Sequence, residues 1–304
     1  MKKIATAFLA ISLLATTPVF AVEQESNPIQ QEEGMIGQGE DFVFKELTVD
    51  EIMAQKGMKS ALESFYDKFP RAKAYKITGN KMKKIENDEE KNVIQLFLES
   101  DEKEAFTLYF DIKIEEITKY IQVVSNVPES ELPRTVQASL DKVYSLLPEM
   151  KGLKLHDSFM SCSIIKGEEQ LKIYSLGFNE SGKRETTDKE FSITFDETGK
   201  VLYFTFEKLP LVNLEGNTKE EKAQDLLKRL YGEEANEYKI KKVSEISKDD
   251  PNYKDHKDSI RGTIVFMPIS FEKNPIVVGF NIKNELTMSQ ETSRDFLEDF
   301  GLLQ

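Results

Sequence analysis

The pairs Phe110-Asp111, Phe195-Asp196 and Phe280-Asn281 are evenly spaced along the chain, and each stands between an alternating apolar run and a short polar connection. Such a recurrence restricts the chain to a repeating plan, because each copy must build the same local element and bury the same side. In the middle copy, SITFDETGKVLYFTF from Ser192 to Phe206, two alternating runs flank a Thr-Gly connection, which is the pattern of a hairpin. Alternation puts Phe191, Ile193 and Phe195 on one face of the strand. Asp196 at the strand end is placed to accept amide hydrogens of the turn, Gly199 supplies a positive φ, and Asn281 does the same turn work without charge.

The helices support the repeat independently. ALESFYDKFPRAKAYKI (61–77) lies over SLDKVYSLLPEMKGLKL (139–155) without a gap, matching Leu62 with Leu140, Tyr66 with Tyr144 and Pro70 with Pro148. Leu62, Phe65, Tyr66 and Phe69 fall on one helical face, as do Leu140, Val143, Tyr144 and Leu147, so Leu62, Tyr66, Leu140 and Tyr144 are expected in equivalent buried positions. Proline ends each helix because it lacks the amide hydrogen and disfavours a helical residue before it. Thr48 with Glu51 and Thr218 with Glu221 form the Thr-x-x-Glu signature of a capped helix start. Each helix is followed by strand candidates, among them AFTLYFDIKIEEITKYIQVV, QLKIYSLGFNE and PIVVGFNIKNELTMSQ. The expected fold is α+β: three tandem repeats of about 80 residues, each one helix followed by an antiparallel β-meander. The repeats run over 48–127, 128–212 and 213–290, and a short C-terminal helix over 291–304 covers the open end of the array.

Residues 1–21 read as a secretory signal peptide: Lys2 and Lys3 precede an apolar run from Ile4 to Leu14, and small residues lead to cleavage after Ala21. Residues 22–47, rich at first in Gln, Glu, Gly and Ser, read as a disordered leader. No later apolar run approaches the ~20 residues of a membrane span, so the processed chain is expected outside the cytoplasm, secreted or in the cell envelope, without membrane insertion. Formal charge is −13, from 41 basic and 54 acidic residues, which repels phosphate backbones and argues against nucleic-acid binding. Cys162 is the single cysteine, so stability rests on burial, supplied by 20 Phe and 10 Tyr at about 25 cal/mol per Å². In its strand-like run Cys162 reads as a small buried hydrophobe.

A helix followed by a meander whose last hairpin reads FDETGKVL resembles the PepSY domain. The tandem arrangement behind a signal peptide is similar to the secreted YcdB/YcdC repeat proteins, which are built from PepSY-like units. The resemblance covers about 48–290, and Asp196, Gly199 and Val201 match the hairpin; IKIEE and IKNE stand in place of ETGK in the other two segments. It implies extracytoplasmic binding or regulation, often of peptidases, and brings no catalytic residues with it.

The chemistry-bearing residues agree. The two histidines, His156 and His256, are far apart, which excludes the paired histidines of a zincin helix. Nucleophile elbows, phosphate loops and dinucleotide fingerprints are absent from the sequence. The metal candidate is the acidic loop SKDDPNYKDHKDS, in which Asp249, Asp250, Asn252, Asp255 and Asp258 offer oxygens for weak calcium binding. Its spacing departs from the calcium-hand pattern, and Lys248, Lys254 and Lys257 dilute its charge, so a solvated loop is the plainer reading. No catalytic residue and no cofactor is expected. The expected function is a secreted non-enzymatic binding or regulatory protein that holds a peptide or protein ligand, such as a secreted peptidase, on sheet edges or repeat grooves. The alternatives are an envelope hydrolase using paired carboxylates and a surface or matrix scaffold.

Overall fold

The computed structural model describes residues 43–299 apart from 87–88, 101–102, 166–167, 186, 207–210, 212, 246–261 and 282. The chain enters at β1 (Val43–Leu47), within the stretch whose composition suggests a leader, and continues through α1 (Val49–Met53) and α2 (Met58–Lys68). The strands β2 (Lys76–Glu86), β3 (Glu89–Glu99), β4 (Glu104–Asp111) and β5 (Glu116–Ser125) follow. Next come α3 (Arg134–Leu146), β6 (Lys154–Ile165), β7 (Glu168–Asn179), β8 (Glu190–Asp196) and β9 (Val201–Thr205). The last part is α4 (Lys219–Tyr231), β10 (Tyr238–Glu245), β11 (Gly262–Pro268), β12 (Ile276–Phe280), β13 (Leu286–Glu291) and α5 (Arg294–Asp299).

Three separate helix-plus-meander repeats do not form. The strands make one antiparallel sheet of 13, in the order β1-β2-β3-β4-β5-β6-β7-β8-β9-β13-β12-β11-β10. The cause is edge satisfaction: β5 pairs with β6 from Lys119↔Ile165 to Ser125↔Phe159, and β9 pairs with β13 through Tyr203↔Gln290. Strands that would have been open edges thus find partners inside the molecule. The cores are shared as well. Leu140 and Val143 of α3 and Leu226 and Leu227 of α4 enter one buried cluster with Phe178, Phe191, Phe195, Phe204, Ile264 and Phe280. A second cluster joins Ile52, Met58, Leu62 and Phe65 to Ile94, Leu96, Phe106, Leu108 and Phe110. The C-terminal helix does not cover an end of an array. Leu297 of α5 is fully buried on Val265 and Val277, which alternate with core residues and so lie on the other face of the sheet.

Local chemistry explains the elements. Both capping boxes form: the Thr48 hydroxyl accepts from the Glu51 amide while Glu51 accepts from the Thr48 amide, and Thr218 with Glu221 repeats the exchange. The first helix does not run on unbroken but stops before Gly57, whose φ is +78° and where a Cβ would lie 2.6 Å from the Cβ of Glu115. Pro70 and Pro148 each open a short 3-10 turn, which then leads into β2 and β6. Leu62 and Leu140 are buried, whereas Tyr66 and Tyr144 are only half-buried.

The Phe-Asx pairs share one geometry. Phe110, Phe195 and Phe280 are all fully buried, and each sits at a register shift in its hairpin. The following Oδ1 accepts the amide two residues on: Asp111 from Lys113 at 2.8 Å, Asp196 from Thr198 at 2.9 Å, Asn281 from Lys283 at 2.9 Å. The turn closes through a left-handed residue in every case, Glu115, Gly199 or Asn284.

Two stability outcomes follow from these contacts. Asp196 Oδ1 also accepts from the Thr198 hydroxyl and the Lys200 amide, so Asp196→Ala is expected to cost about 1–2 kcal/mol, while Asp196→Asn stays within about 0.5 kcal/mol. Urea denaturation midpoints at constant slope check both. Leu140→Ala is expected to cost about 2–5 kcal/mol and Tyr144→Ala less, since Leu140 is 1% exposed and Tyr144 is only half-buried; equal losses would contradict this packing.

Candidate functional site

The helices α1 to α4 cover one face of the sheet, because the apolar parity of the strands packs on them. The opposite parity forms a second face, which α5 covers at β11 and β12. Between β3 and β9 this second face is built from cross-strand rows set by the register. One row runs Phe97–Thr107–Ile121–Ser163, the next Ala105–Val123–Ser161–Ile173. A third runs Phe159–Ser175–Thr194–Tyr203. These side chains are uncharged, with Glu99 and Asp196 continuing the second row at β3 and β8 and Lys119 in the adjoining row, and Phe97, Thr107, Ile121, Phe159, Ile173, Thr194 and Tyr203 are all half-buried, with part of each in solvent. The Ser175 and Thr194 hydroxyls bond each other at 2.6 Å, so the row is internally satisfied across β7 and β8. Beside the rows, the Lys119 ammonium lies 5.2 Å from the Tyr109 ring centre. The result is a broad aromatic, aliphatic and hydroxyl surface on a rigid sheet, suited to contact with another polypeptide.

Other polar groupings are structural. Glu104, buried at the start of β4, accepts from Arg71 at 2.5 Å, Tyr75 at 2.5 Å and Gln122 at 2.6 Å. These contacts tie the turn after α2 to β4 and β5. Burial is the main cause raising the Tyr75 phenol, and the Glu104 carboxylate adds to it. A cavity of about 250 Å³ lies where α3, the β8–β9 turn and the end of α4 meet, lined by Lys142, Gly199, Lys200, Arg229 and Tyr231. Lys200 pairs with Glu291, and Arg229 with Asp225, so these cations are already engaged.

The residues singled out from sequence are scattered. The calcium candidates Asp249, Asp250, Asn252, Asp255 and Asp258, and His256 with them, lie outside the described residues. Cys162 is 1% exposed in the core cluster under α2. Asp111 and Asp196 close their own hairpin turns. Among the described residues no three His, Cys, Asp or Glu side chains are placed to hold a metal ion. The face itself escaped sequence reading. Its trace was the choice of hydroxyls over charges at the outward parity of β6, β7 and β8, where Ser161, Ser163, Ser175 and Thr194 stand.

His156 sits at a bulge, where the β6–β7 register slips between Leu155 and Asp157, with its ring against Gly177. Its Nδ1 is buried without a hydrogen-bond partner among the described residues. Burial holds the imidazole below its usual value; the neighbouring Asp157 and Glu190 oppose this, and Arg184 adds to it.

Compared with known proteins, the chain matches no family model, no curated protein and no solved structure. The likeness to PepSY-like proteins therefore stands on the hairpin and helix residues alone.

The histidine yields a pH prediction. The fold disfavours the charged imidazole, so the unfolded chain binds a proton first, and stability falls as pH drops below the ordinary value of 6.5 until the folded imidazole is itself charged. In His156→Gln this part of the slope is expected to vanish. Denaturation midpoints measured from about pH 7.5 to 5 compare the two, and parallel curves for both proteins would refute it.

Proposed function

We propose that the chain is a secreted, non-enzymatic binding or regulatory protein, and that it holds a protein or peptide ligand on the second face of its sheet. One observation carries this reading: the rows from Phe97 to Tyr203 present partly exposed apolar and hydroxyl side chains, with charge only at their ends, at Glu99 and Asp196, and at Lys119 beside them. Strands lie about 4.8 Å apart and rise about 3.3 Å per residue, so the uncharged rows cover on the order of 30 Å by 15 Å, an apolar centre for an interface whose rim would hold Glu99, Lys119 and Asp196. Uncharged aromatic and aliphatic surface is what the centre of an interface is made of. Edge pairing is the lesser route. Closing the sheet leaves β1 and β10 as its edges, and β10 carries exposed Lys239 and Lys241 and a bulge between Ile240 and Lys242, devices that discourage a further strand. A secreted peptidase is the partner class suggested by the resemblance to PepSY-like proteins.

The test compares wild type with Ile121→Asp and Ile173→Asp. Immobilised protein is exposed to the producing cells' culture supernatant, and hydrolysis of peptide and wall substrates is assayed alongside. A retained protein whose affinity falls at least about tenfold in both variants, at unchanged thermal midpoints, supports the reading. Retention indifferent to both substitutions refutes the face. Turnover by the wild type that vanishes in one folded amide variant, such as Asp111→Asn, turns the assignment to the paired-carboxylate hydrolase.

A further inference from the structure

The β11–β12 loop holds two apolar side chains in water: Ile269 is 62% exposed and Phe271 85% exposed. The loop is firmly anchored. The Ile269 amide donates to the Glu237 carbonyl at 2.8 Å, Lys273 bridges Glu234 at 2.9 Å and Glu237 at 3.1 Å, and Asn274 donates to Glu291 at 3.0 Å. Arg294 donates to the Ser270 carbonyl and stacks its guanidinium 4.7 Å from the Phe271 ring centre. The loop's anchors therefore hold the phenyl group out, with no cover from the described residues. A pre-set aromatic with an arginine beside it binds without a large ordering cost, which is the character of an interface anchor. Next to it, Glu272 is exposed and makes no ion pair among the described residues.

A complementary surface lies elsewhere on the same chain. Tyr144 and Ser145 of α3, Pro148 and Met150 of the following turn, and Leu153 line a mainly apolar cleft of about 430 Å³, a volume within the range that receives aromatic ligands. Lys151 stands at its rim, exposed and without an ion pair among the described residues. An apolar knob flanked by a free carboxylate thus has an apolar cleft flanked by a free ammonium.

We propose that copies of this chain associate head to tail, with Phe271 and Ile269 of one copy entering the cleft beside Tyr144 and Pro148 of the next and Glu272 facing Lys151. Such a heterologous contact leaves a knob free at one end and a cleft at the other, so it propagates. It does not depend on the ligand-binding reading, since it leaves the face between β3 and β9 open.

Sedimentation velocity of the mature chain over a range of concentrations tests it. The wild type is expected to form dimers and longer species as concentration rises. Phe271→Asp, at a solvent-facing position, and Ser145→Trp, which fills the cleft from an exposed lining position, are each expected to stay monomeric with wild-type circular dichroism. Mixed in equal amounts, the two variants are expected to give dimers and nothing larger, because one intact cleft meets one intact knob. Glu272→Lys is expected to weaken association, and Lys151→Glu in the same chain to restore it. Ile121→Asp is expected to leave association unchanged. A wild type that remains monomeric, association that survives Phe271→Asp, a mixture that stays monomeric, or loss of association in Ile121→Asp overturns the proposal.

Discussion

A strand at the end of a meander carries a row of amides and carbonyls that cost free energy if they are buried unpaired and invite foreign strands if they are left open. In this chain β5 and β9 resolve that problem by pairing with β6 and β13, and the rest of the architecture depends on those two ladders. Once β9 lies beside β13, the last four strands run outward in reverse order, β13-β12-β11-β10. Helices α3 and α4 are then brought together over one stretch of sheet. Leu140 and Leu227 pack into a common cluster, and a shared core replaces two small ones that would each have buried too little.

Local and nonlocal determinants separate cleanly. Asp111, Asp196 and Asn281 act through side-chain oxygens on amides two residues away, so their role is written in the neighbouring sequence. The Thr48 and Thr218 caps are equally local and equally legible. Strand partnership is different. Nothing in Lys119–Ser125 states that its free side meets Phe159–Ile165 and not solvent, because backbone ladders take almost any side chain. Three even segments therefore suggest three units, although the same segments serve one sheet. The close approach at Gly57 was hidden for a related reason: a Cβ there would meet Glu115, nearly sixty positions away.

The site was legible in part. Alternation tells which residues share a face of β6, β7 and β8, yet not which face the helices will take. The apolar parity of Ile193 and Phe195 fixes that only after α3 and α4 are docked. What remained readable was a mismatch of composition. A chain with 54 acidic and 41 basic residues places Ser161, Ser163, Ser175 and Thr194 where charges ordinarily stand on a solvated strand face. The acidic cluster from Asp249 to Asp258, by contrast, drew notice by charge alone, and it lies outside the described residues.

Placing every large helix on one side has a consequence for binding. A sheet covered on both faces can be approached only at its edges, and here β10 is guarded by lysines and a bulge. A sheet covered on one face keeps the other rigid, because each of its rows is backed by the buried Phe178–Phe191–Phe204 stack, with ring centres 5.3 and 4.9 Å apart, or by the cluster under α2. Rigid backing lowers the ordering cost of association, so on the proposed reading modest side chains such as Thr107, Ile121 and Ser175 would contribute binding free energy that a mobile loop would lose to entropy. The Ser175 and Thr194 hydroxyls share one hydrogen bond at 2.6 Å, which leaves the hydrogen of the accepting hydroxyl for an acceptor on the proposed partner. A one-sided sheet of this breadth therefore reconciles a stable fold without disulfides and a broad uncharged patch, bounded by Glu99, Lys119 and Asp196, on its open face.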